Sequence, residues 1–148
     1  MKKFLIILLF ILSNCGYQPL HTNKNTEKLI FQNINLTGNK KINRKIVSLL
    51  DFSKSQSNYT FDELSLDSKK SIETTSKDNK GKTISYKTTI ETLFVIKNKN
   101  EEVKRKSFKV DFSYNKRDNK FDLVEYQNQI ENNLIDKIIE ELIIYINL

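Results

Sequence analysis

The chain has 148 residues, a formal net charge of +7, one cysteine, one histidine and no tryptophan. A single cysteine excludes a disulfide within the chain, and a single histidine leaves no partner for the Cys and His ligand sets that bind zinc. The basic balance favours an anionic partner, but the abundance of lysine, asparagine and isoleucine is equally typical of an AT-rich genome. The net charge alone therefore does not identify the type of partner.

The first residues have the pattern of a secretory signal. Met1–Lys3 carries two positive charges, Phe4–Leu12 is an uncharged apolar run, and two small polar residues lead to Cys15. The apolar run would rise only about 14 Å as a helix, against about 30 Å for the hydrocarbon core of a bilayer. We therefore expect a cleaved signal peptide over residues 1–14 rather than a membrane span.

The residues around the cysteine resemble a bacterial lipobox, with Leu12 three residues before Cys15 and Ser13 two before it. In that interpretation Cys15 becomes the mature N-terminus, with diacylglycerol on its sulfur and an acyl chain such as palmitate on its amine. The alternative is a secreted protein with a free thiol. An unpaired thiol is a liability in an oxidising compartment, which favours lipidation.

After the signal, residues 15–27 predict a lipidated polar tether, and residues 28–148 predict one folded domain. Alternating apolar residues predict a first strand over Leu29–Leu36. Apolar residues at offsets of four, seven and eight then predict a helix from about Lys40 to Phe52. Ser53–Asn58 is interpreted as a polar connector.

The middle of the chain predicts a meander of three long antiparallel strands. Even-numbered apolar residues recur within Leu64–Ser76, Ile84–Ile96 and Phe108–Tyr114, separated by polar turns at Lys77–Lys82 and Lys97–Glu102. Residues on one face stay on that face only when the pairing preserves parity. Turns centred near 80 and 100 predict three cross-strand pairs: Leu66 with Phe94, Ile90 with Val110, and Tyr86 with Tyr114.

A long apolar stripe at spacings of three and four predicts a final helix over Asp122–Asn147. The predicted order is β-α-β-β-β-α. We expect an α+β two-layer sandwich, with a four-stranded, mostly antiparallel sheet and two helices on one face. The isoleucines near the end of the last helix either complete the core or extend into a partner or membrane.

The sequence predicts no enzyme, metal site or cofactor. His21 lies in the tether, and the adjacent carboxylates Asp62-Glu63, Glu101-Glu102 and Glu140-Glu141 point to different faces of their elements. No pair therefore forms an evident acid–base dyad, although a pocket formed only by folding would escape this argument.

Binding residues are better supported, because lysines gather at both turns of the meander. The candidates for lipid or partner binding are Lys80 and Lys82 at the first turn and Lys104, Arg105 and Lys106 at the second. On the odd-numbered face, expected to be wet, Leu93, Val95 and Val103 predict an apolar patch with a basic rim. The alternative is that these lysines only guard the sheet against association.

The mature N-terminus and the topology together resemble the LptE family of lipopolysaccharide-assembly lipoproteins. Cys15, Gly16, Tyr17, Pro19 and Leu20 match the opening that members often share. The resemblance implies a plug in a one-to-one complex with the outer-membrane barrel LptD, help with barrel assembly, and lipopolysaccharide binding. It also implies an outer-membrane location on the periplasmic side through the acyl anchor, and Gly16 in place of aspartate is compatible with that sorting.

A second interpretation remains open. The chain is then a freestanding periplasmic lipoprotein module that binds an amphiphile or a cell-wall fragment without a barrel. Export makes nucleic acid an improbable partner in either case.

Overall fold

The computed structural model describes residues 28–147, which form one mixed sheet and two helices. The elements in chain order are β1 (Ile30–Gly38), α1 (Lys40–Leu49), β2 (Ser53–Lys54), β3 (Phe61–Lys77), β4 (Thr83–Asn98), β5 (Glu101–Asn115) and α2 (Lys120–Ile146). The sheet order is β2-β1-β3-β4-β5. β1 runs parallel to β2 and β3, whereas the pairs β3–β4 and β4–β5 are antiparallel. The predicted α+β class is confirmed.

The sheet has five strands rather than the predicted four, because part of the expected connector pairs with β1. The amide N of Ser53 donates to Leu29 O at 3.4 Å, and that of Ser55 donates to Phe31 O at 2.9 Å. The ring of Phe52 packs edge-on against Phe31 at 5.5 Å and holds the chain beside β1. Helix α1 therefore ends at Leu49, before the predicted Phe52. Two strand residues are too few to produce a periodic signal.

The long hairpins have the predicted register. Leu66 lies opposite Phe94, Ile90 opposite Val110, and Tyr86 opposite Tyr114. All three predicted pairs are confirmed. The register is fixed because a slip of one residue would move every apolar side chain of a strand to the other face of the sheet.

Both helices cover the even-numbered face of the sheet and share one core. The buried side chains of that core come from every long element: Phe31, Ile42, Ile46, Leu64, Leu66, Ile90, Phe94, Phe108, Val110, Leu134, Ile138 and Leu142. The helices lie side by side, since Lys45 Nζ of α1 donates to Asn132 Oδ1 of α2 at 2.9 Å. Each helix begins at an asparagine cap: Asn39 Oδ1 accepts from Ile42 N, and Asn119 Oδ1 accepts from Phe121 N.

The connection from β1 to α1 requires a glycine. Gly38 has a φ of +67°, and a Cβ built there would lie 2.3 Å from Ser68 O and 2.5 Å from Asp67 Oδ1. The next amide, Asn39 N, donates to Ser68 O at 2.6 Å, which fixes the chain at this close approach. A side chain would therefore push the start of α1 away from β3.

Replacing Gly38 with alanine should reduce the free energy of unfolding by about 3 kcal/mol, since it adds a backbone clash to an unfavourable φ. The matched control is Gly81→Ala. Gly81 has a φ of +77° but nothing within 4 Å of the new Cβ, so only the conformational cost of about 1 kcal/mol applies. Urea titration followed by circular dichroism measures both, and equal losses would contradict the clash at Ser68.

Candidate functional site

The two basic turns lie at opposite ends of the sheet. We call the end of the sheet where β1 begins the entry end. It also holds the β4–β5 turn and the end of α2, because Phe31 pairs with Phe61 and Glu63 pairs with Lys97. The hairpin end holds the β3–β4 turn and the start of α2. The 17 residues of β3 extend over about 55 Å. One small ligand therefore cannot contact both groups of candidate cations.

At the entry end, Lys104 closes the last turn of α2. Its Nζ donates to Tyr145 O at 3.2 Å and to Ile146 O at 3.0 Å, and it lies 5.3 Å from the centre of the Tyr145 ring. The last carbonyls of a helix lack partners within the helix and carry partial negative charge, so an ammonium group satisfies them well. This contact also shows how the end of the helix is attached to the sheet.

The two neighbouring cations support the same contact. Lys106 Nζ lies 5.0 Å from the Tyr145 ring and 5.1 Å from the Phe108 ring. Arg105 Nη1 donates to Glu102 Oε1 at 3.0 Å, while Arg105 O accepts from the Tyr145 hydroxyl at 3.2 Å. The three candidate cations of the second turn are therefore engaged within the chain.

The odd-numbered apolar residues near that turn differ in exposure. Val95 is buried, Leu93 is half-buried, and Val103 is half exposed. Val95 lies on β4, between β3 and β5, where the register places Ser65 and Arg105 on either side of it. Val103 is the extra residue of a bulge, since Ile96 pairs with Lys104 and Lys97 pairs with Glu102. Of the three, only Val103 is exposed.

At the hairpin end, Lys80 and Lys82 are presented by a tight turn. Asp78 Oδ1 accepts from the backbone N of Lys80 at 2.9 Å and of Lys82 at 2.8 Å. Both side chains are exposed. Within residues 28–147, neither ammonium group forms a hydrogen bond or ion pair, so both are available to an anion.

Large apolar side chains are also exposed at the hairpin end. We call this set the hairpin-end patch, and it consists of Ile72 (41% exposed), Ile84 (46%), Phe112 (47%), Phe121 (86%) and Val124 (50%). These side chains are exposed because β3 is longer than β1. β1 ends opposite Ser68, so the rest of β3 extends beyond both β1 and α1. Ile72 and Phe112 flank Thr88 in one row across this extension.

Sequence reasoning missed Phe121 and Val124. Both lie in the first turns of α2 but outside its core stripe, and that mismatch with the helical period is the signal that could have identified them. Near them, the guanidinium carbon of Arg117 lies 4.2 Å from the centre of the Tyr126 ring. Apolar surface beside cations suits an amphiphile with an anionic headgroup, or an apolar protein partner.

A buried carboxylate joins three elements beneath this region. Glu131 of α2 is 4% exposed; its Oε1 lies 2.8 Å from Lys41 Nζ of α1, and its Oε2 accepts from Lys70 Nζ of β3. Burial alone would raise the pKa of Glu131, but the hydrogen bonds from Lys41 and Lys70 outweigh it and hold the pKa below its ordinary 4.5. The charged carboxylate therefore stabilises the packing of α1 and α2 on β3.

Toward the hairpin end, the odd-numbered face of the sheet is polar. A groove there is lined by residues of both charges, among them Lys69, Glu73, Lys87, Glu91 and Lys109. Lys109 Nζ lies 2.5 Å from Glu91 Oε1, and this contact lowers the pKa of Glu91 and raises that of Lys109. Because both groups are exposed, solvent screens the pair and it contributes little to stability.

Two further observations bear on the type of site. Residues 28–147 contain no group of three or more His, Cys, Asp or Glu side chains placed to hold a metal ion. In the same part of the chain, neither helix combines the length and the apolar character needed to cross a bilayer. The predicted signal peptide, Cys15 and the predicted tether with His21 lie outside the described residues.

Comparison with known proteins identifies the fold but no family. No protein-family model and no curated protein sequence matches the chain. Among solved structures, uncharacterized lipoprotein B from Nitrosomonas europaea is similar with a TM-score of 0.62 and 6% identity, covering 78% of this chain and 79% of that one. The minor lipoprotein from Acinetobacter baumannii has a TM-score of 0.53 and 11% identity, covering 78% of this chain and 87% of that one.

Rare lipoprotein B from Shewanella oneidensis is also similar, with a TM-score of 0.52 and 13% identity over 74% of this chain and 92% of that one. At such low identities the likeness shows a shared fold. The chain thus has the fold of several proteins described as bacterial lipoproteins, and it covers most of the length of each.

Glu131→Gln should lower the free energy of unfolding at pH 7 by about 2 kcal/mol, because it removes two charge-assisted hydrogen bonds from a buried acceptor. A carboxylate with a depressed folded pKa stabilises the protein fully above its unfolded value of 4.5, and that stabilisation is lost as pH falls through the folded pKa. The difference between wild type and variant should therefore shrink below pH 4.5.

The measurement is urea titration at several pH values. Glu91→Gln is the control, since it removes an exposed partner of Lys109 and should leave stability unchanged. A difference between wild type and Glu131→Gln that stays constant down to pH 3 would contradict the role of the ionised carboxylate.

Proposed function

We propose that this protein is a lipid-anchored lipoprotein of the outer membrane, facing the periplasm. There it docks in a barrel of the LptD type in a one-to-one complex. It assists assembly of the barrel and takes part in lipopolysaccharide transport to the outer leaflet. The observation that carries the proposal is the combination of a lipobox cysteine with a fold found in proteins described as bacterial lipoproteins.

The surface of the folded body supports docking in a water-filled barrel. Toward the hairpin end, the odd-numbered sheet face carries charges of both signs rather than an apolar layer. Such a face is compatible with the polar interior of a large barrel. The long strands extend over about 50 Å, more than the apolar band of about 25 Å of an outer-membrane barrel, so the body is long enough to span such a lumen.

The hairpin end is the part of the surface best suited to the lipid A portion of lipopolysaccharide. Lys80 and Lys82 have no partner among the described residues, and Phe121 and Val124 are exposed on α2 at the same end of the sheet. Phosphates pair with cations, and acyl chains pack on apolar side chains. The cations of the entry end are less suited, because Lys104 already caps α2.

A second candidate function rests on the same hairpin-end patch. A freestanding lipoprotein that binds an amphiphile would use these residues without a barrel. The two functions differ in what accompanies the purified protein, since the first requires a barrel in equal amount and the second only a bound lipid.

The decisive experiment is purification of the full-length protein through a C-terminal tag from detergent-solubilised outer membranes. We expect a barrel of the LptD type in one-to-one ratio, identified by mass. The matched control is Cys15→Ser, which removes the lipid attachment atom. It should release the protein into the soluble periplasmic fraction and lower barrel recovery, since a single folded domain then lacks its acyl anchor. A wild-type protein with an unmodified thiol, or one purified without any barrel, would contradict the proposal.

The lipid-binding role predicts a loss of affinity when the hairpin end is altered. Lys80→Glu/Lys82→Glu should weaken binding of purified lipopolysaccharide at least about fivefold, because attraction to phosphate becomes repulsion. Lys40→Glu/Lys54→Glu makes the same charge change on exposed residues elsewhere and should have no comparable effect. Equal affinity losses in the two variants would indicate that only net charge matters.

A further inference from the structure

In the part of the chain that the structure describes, the outer edge of β5 has no neighbouring strand. β5 is the last strand of the sheet order and has 15 residues, with β4 on one side only. An exposed strand edge is a template for pairing with another strand. Lysines commonly protect such edges, but here Lys104 and Lys106 are directed onto the end of α2.

The backbone of this edge is oriented for pairing. Lys116 N donates to Ile84 O at 2.7 Å, in register with the pairing of Tyr114 with Tyr86. In an antiparallel pair the hydrogen-bonded positions alternate, so the even-numbered residues of β5 direct their amides to β4. The odd-numbered residues, including Ser107, Lys109 and Asp111, direct theirs away from the sheet.

A groove runs beside this edge because α2 does not cover it fully. The groove has a volume of about 260 Å³ and is lined by Phe112 and Asp111 of β5 and by residues of α2 that include Ile130, Leu134 and Asn133. Phe112 is 47% exposed at this place. The edge thus combines unpaired backbone groups with an apolar surface.

We propose that the β5 edge pairs antiparallel with the β5 edge of a second copy of this chain, with Val110 on the two-fold axis. In this register Lys109 faces Asp111 of the second copy, and Asp111 faces its Lys109. On the helix side, the half-exposed Phe112 lies opposite the position of the buried Phe108. Opposite charges across strands stabilise antiparallel pairing. The inference goes beyond the proposed function and concerns the protein without its barrel.

Neighbouring registers are less favourable. Only registers that match odd with odd residues keep the apolar faces together. A shift that puts Lys109 on the axis pairs Lys109 with Lys109 of the second copy, so two like charges face each other. The opposite shift puts Asp111 on the axis and pairs it with Asp111 of the second copy. A larger shift that pairs Arg105 with Asp111 places Lys104 against Phe112 and Lys106 against Val110.

The helices fit this arrangement. α2 packs on β4 and β5, so continuing the sheet at a strand spacing of about 4.8 Å sets the two α2 axes about 10 Å apart. Helices in contact lie about 8–10 Å apart, so each α2 would fill the groove beside the other. Gln129 and Asn133, which line the groove, have amides that both donate and accept hydrogen bonds across it.

Disulfide cross-linking tests the register, with the full-length protein produced in excess over the barrel and separated from it in mild detergent. Ser107 and Ser113 are exposed, and in the proposed register each faces the other across the axis. Paired residues have Cα atoms about 5.5 Å apart, within the range of a disulfide. Ser107→Cys/Ser113→Cys should therefore form a covalent dimer on oxidation.

Each single variant is the matched control, because identical residues of the two copies would lie about 20 Å apart. Absence of a covalent dimer in the double variant would overturn the proposal. Equal cross-linking of the single variants, or cross-linking only to another protein, would also overturn it.

A charge reversal tests the strength of the contact. Asp111→Lys should raise the dissociation constant of the dimer about tenfold, since both charge pairs become repulsive. Asp118→Lys carries the same change in the exposed loop before α2 and should leave the constant unchanged. Analytical ultracentrifugation of density-matched detergent solutions measures both, and equal constants would overturn the assignment of Asp111 to the interface.

Discussion

Burial of one face of three long strands is the constraint on which the structure depends. The even-numbered residues of β3, β4 and β5 form a continuous apolar layer, and both helices lie on it. β4 has a neighbouring strand on each side, and it buries Thr88 and Thr92 within this layer as well as Thr89 and Val95 on its odd-numbered face. A shift of one residue in either hairpin would expose the layer, so the register and the helix positions are determined together.

The cations of this chain have different roles despite their similar appearance in the sequence. Lys104 satisfies the carbonyls at the end of α2, and Lys70 neutralises Glu131 within the packed layers. Lys80 and Lys82 extend from a turn without a partner among the described residues. A basic residue indicates a binding site only when the fold leaves its charge unsatisfied, and here that criterion favours the hairpin end over the entry end.

Much of the fold could be predicted from the sequence because period-two alternation is a direct consequence of strand geometry. The pairing of Leu66 with Phe94 and of Tyr86 with Tyr114 required only parity and the positions of two turns. The strand at Ser53 could not be predicted, since its pairing depends on Phe52 reaching Phe31 across the core. The cap formed by Lys104 depends on where a helix more than 40 residues later ends, and local patterns do not contain that information. Phe121 is likewise exposed because β1 and α1 do not extend as far as the end of β3, so neither covers this end of the sheet.

Both ends of the described chain lie at the entry end of the sheet. A body attached through either end would therefore hold its β3–β4 turn far from the attachment point. Leu29 pairs beside Ser53 there, and Tyr145 is held against Arg105. A body held at this end would carry its hairpin about 55 Å from the pivot. A tilt of about 10° would then move the hairpin tip by about 10 Å, roughly the thickness of one packed sheet layer. A small rotation at the attachment point would thus be converted into a large change in what the far end can reach.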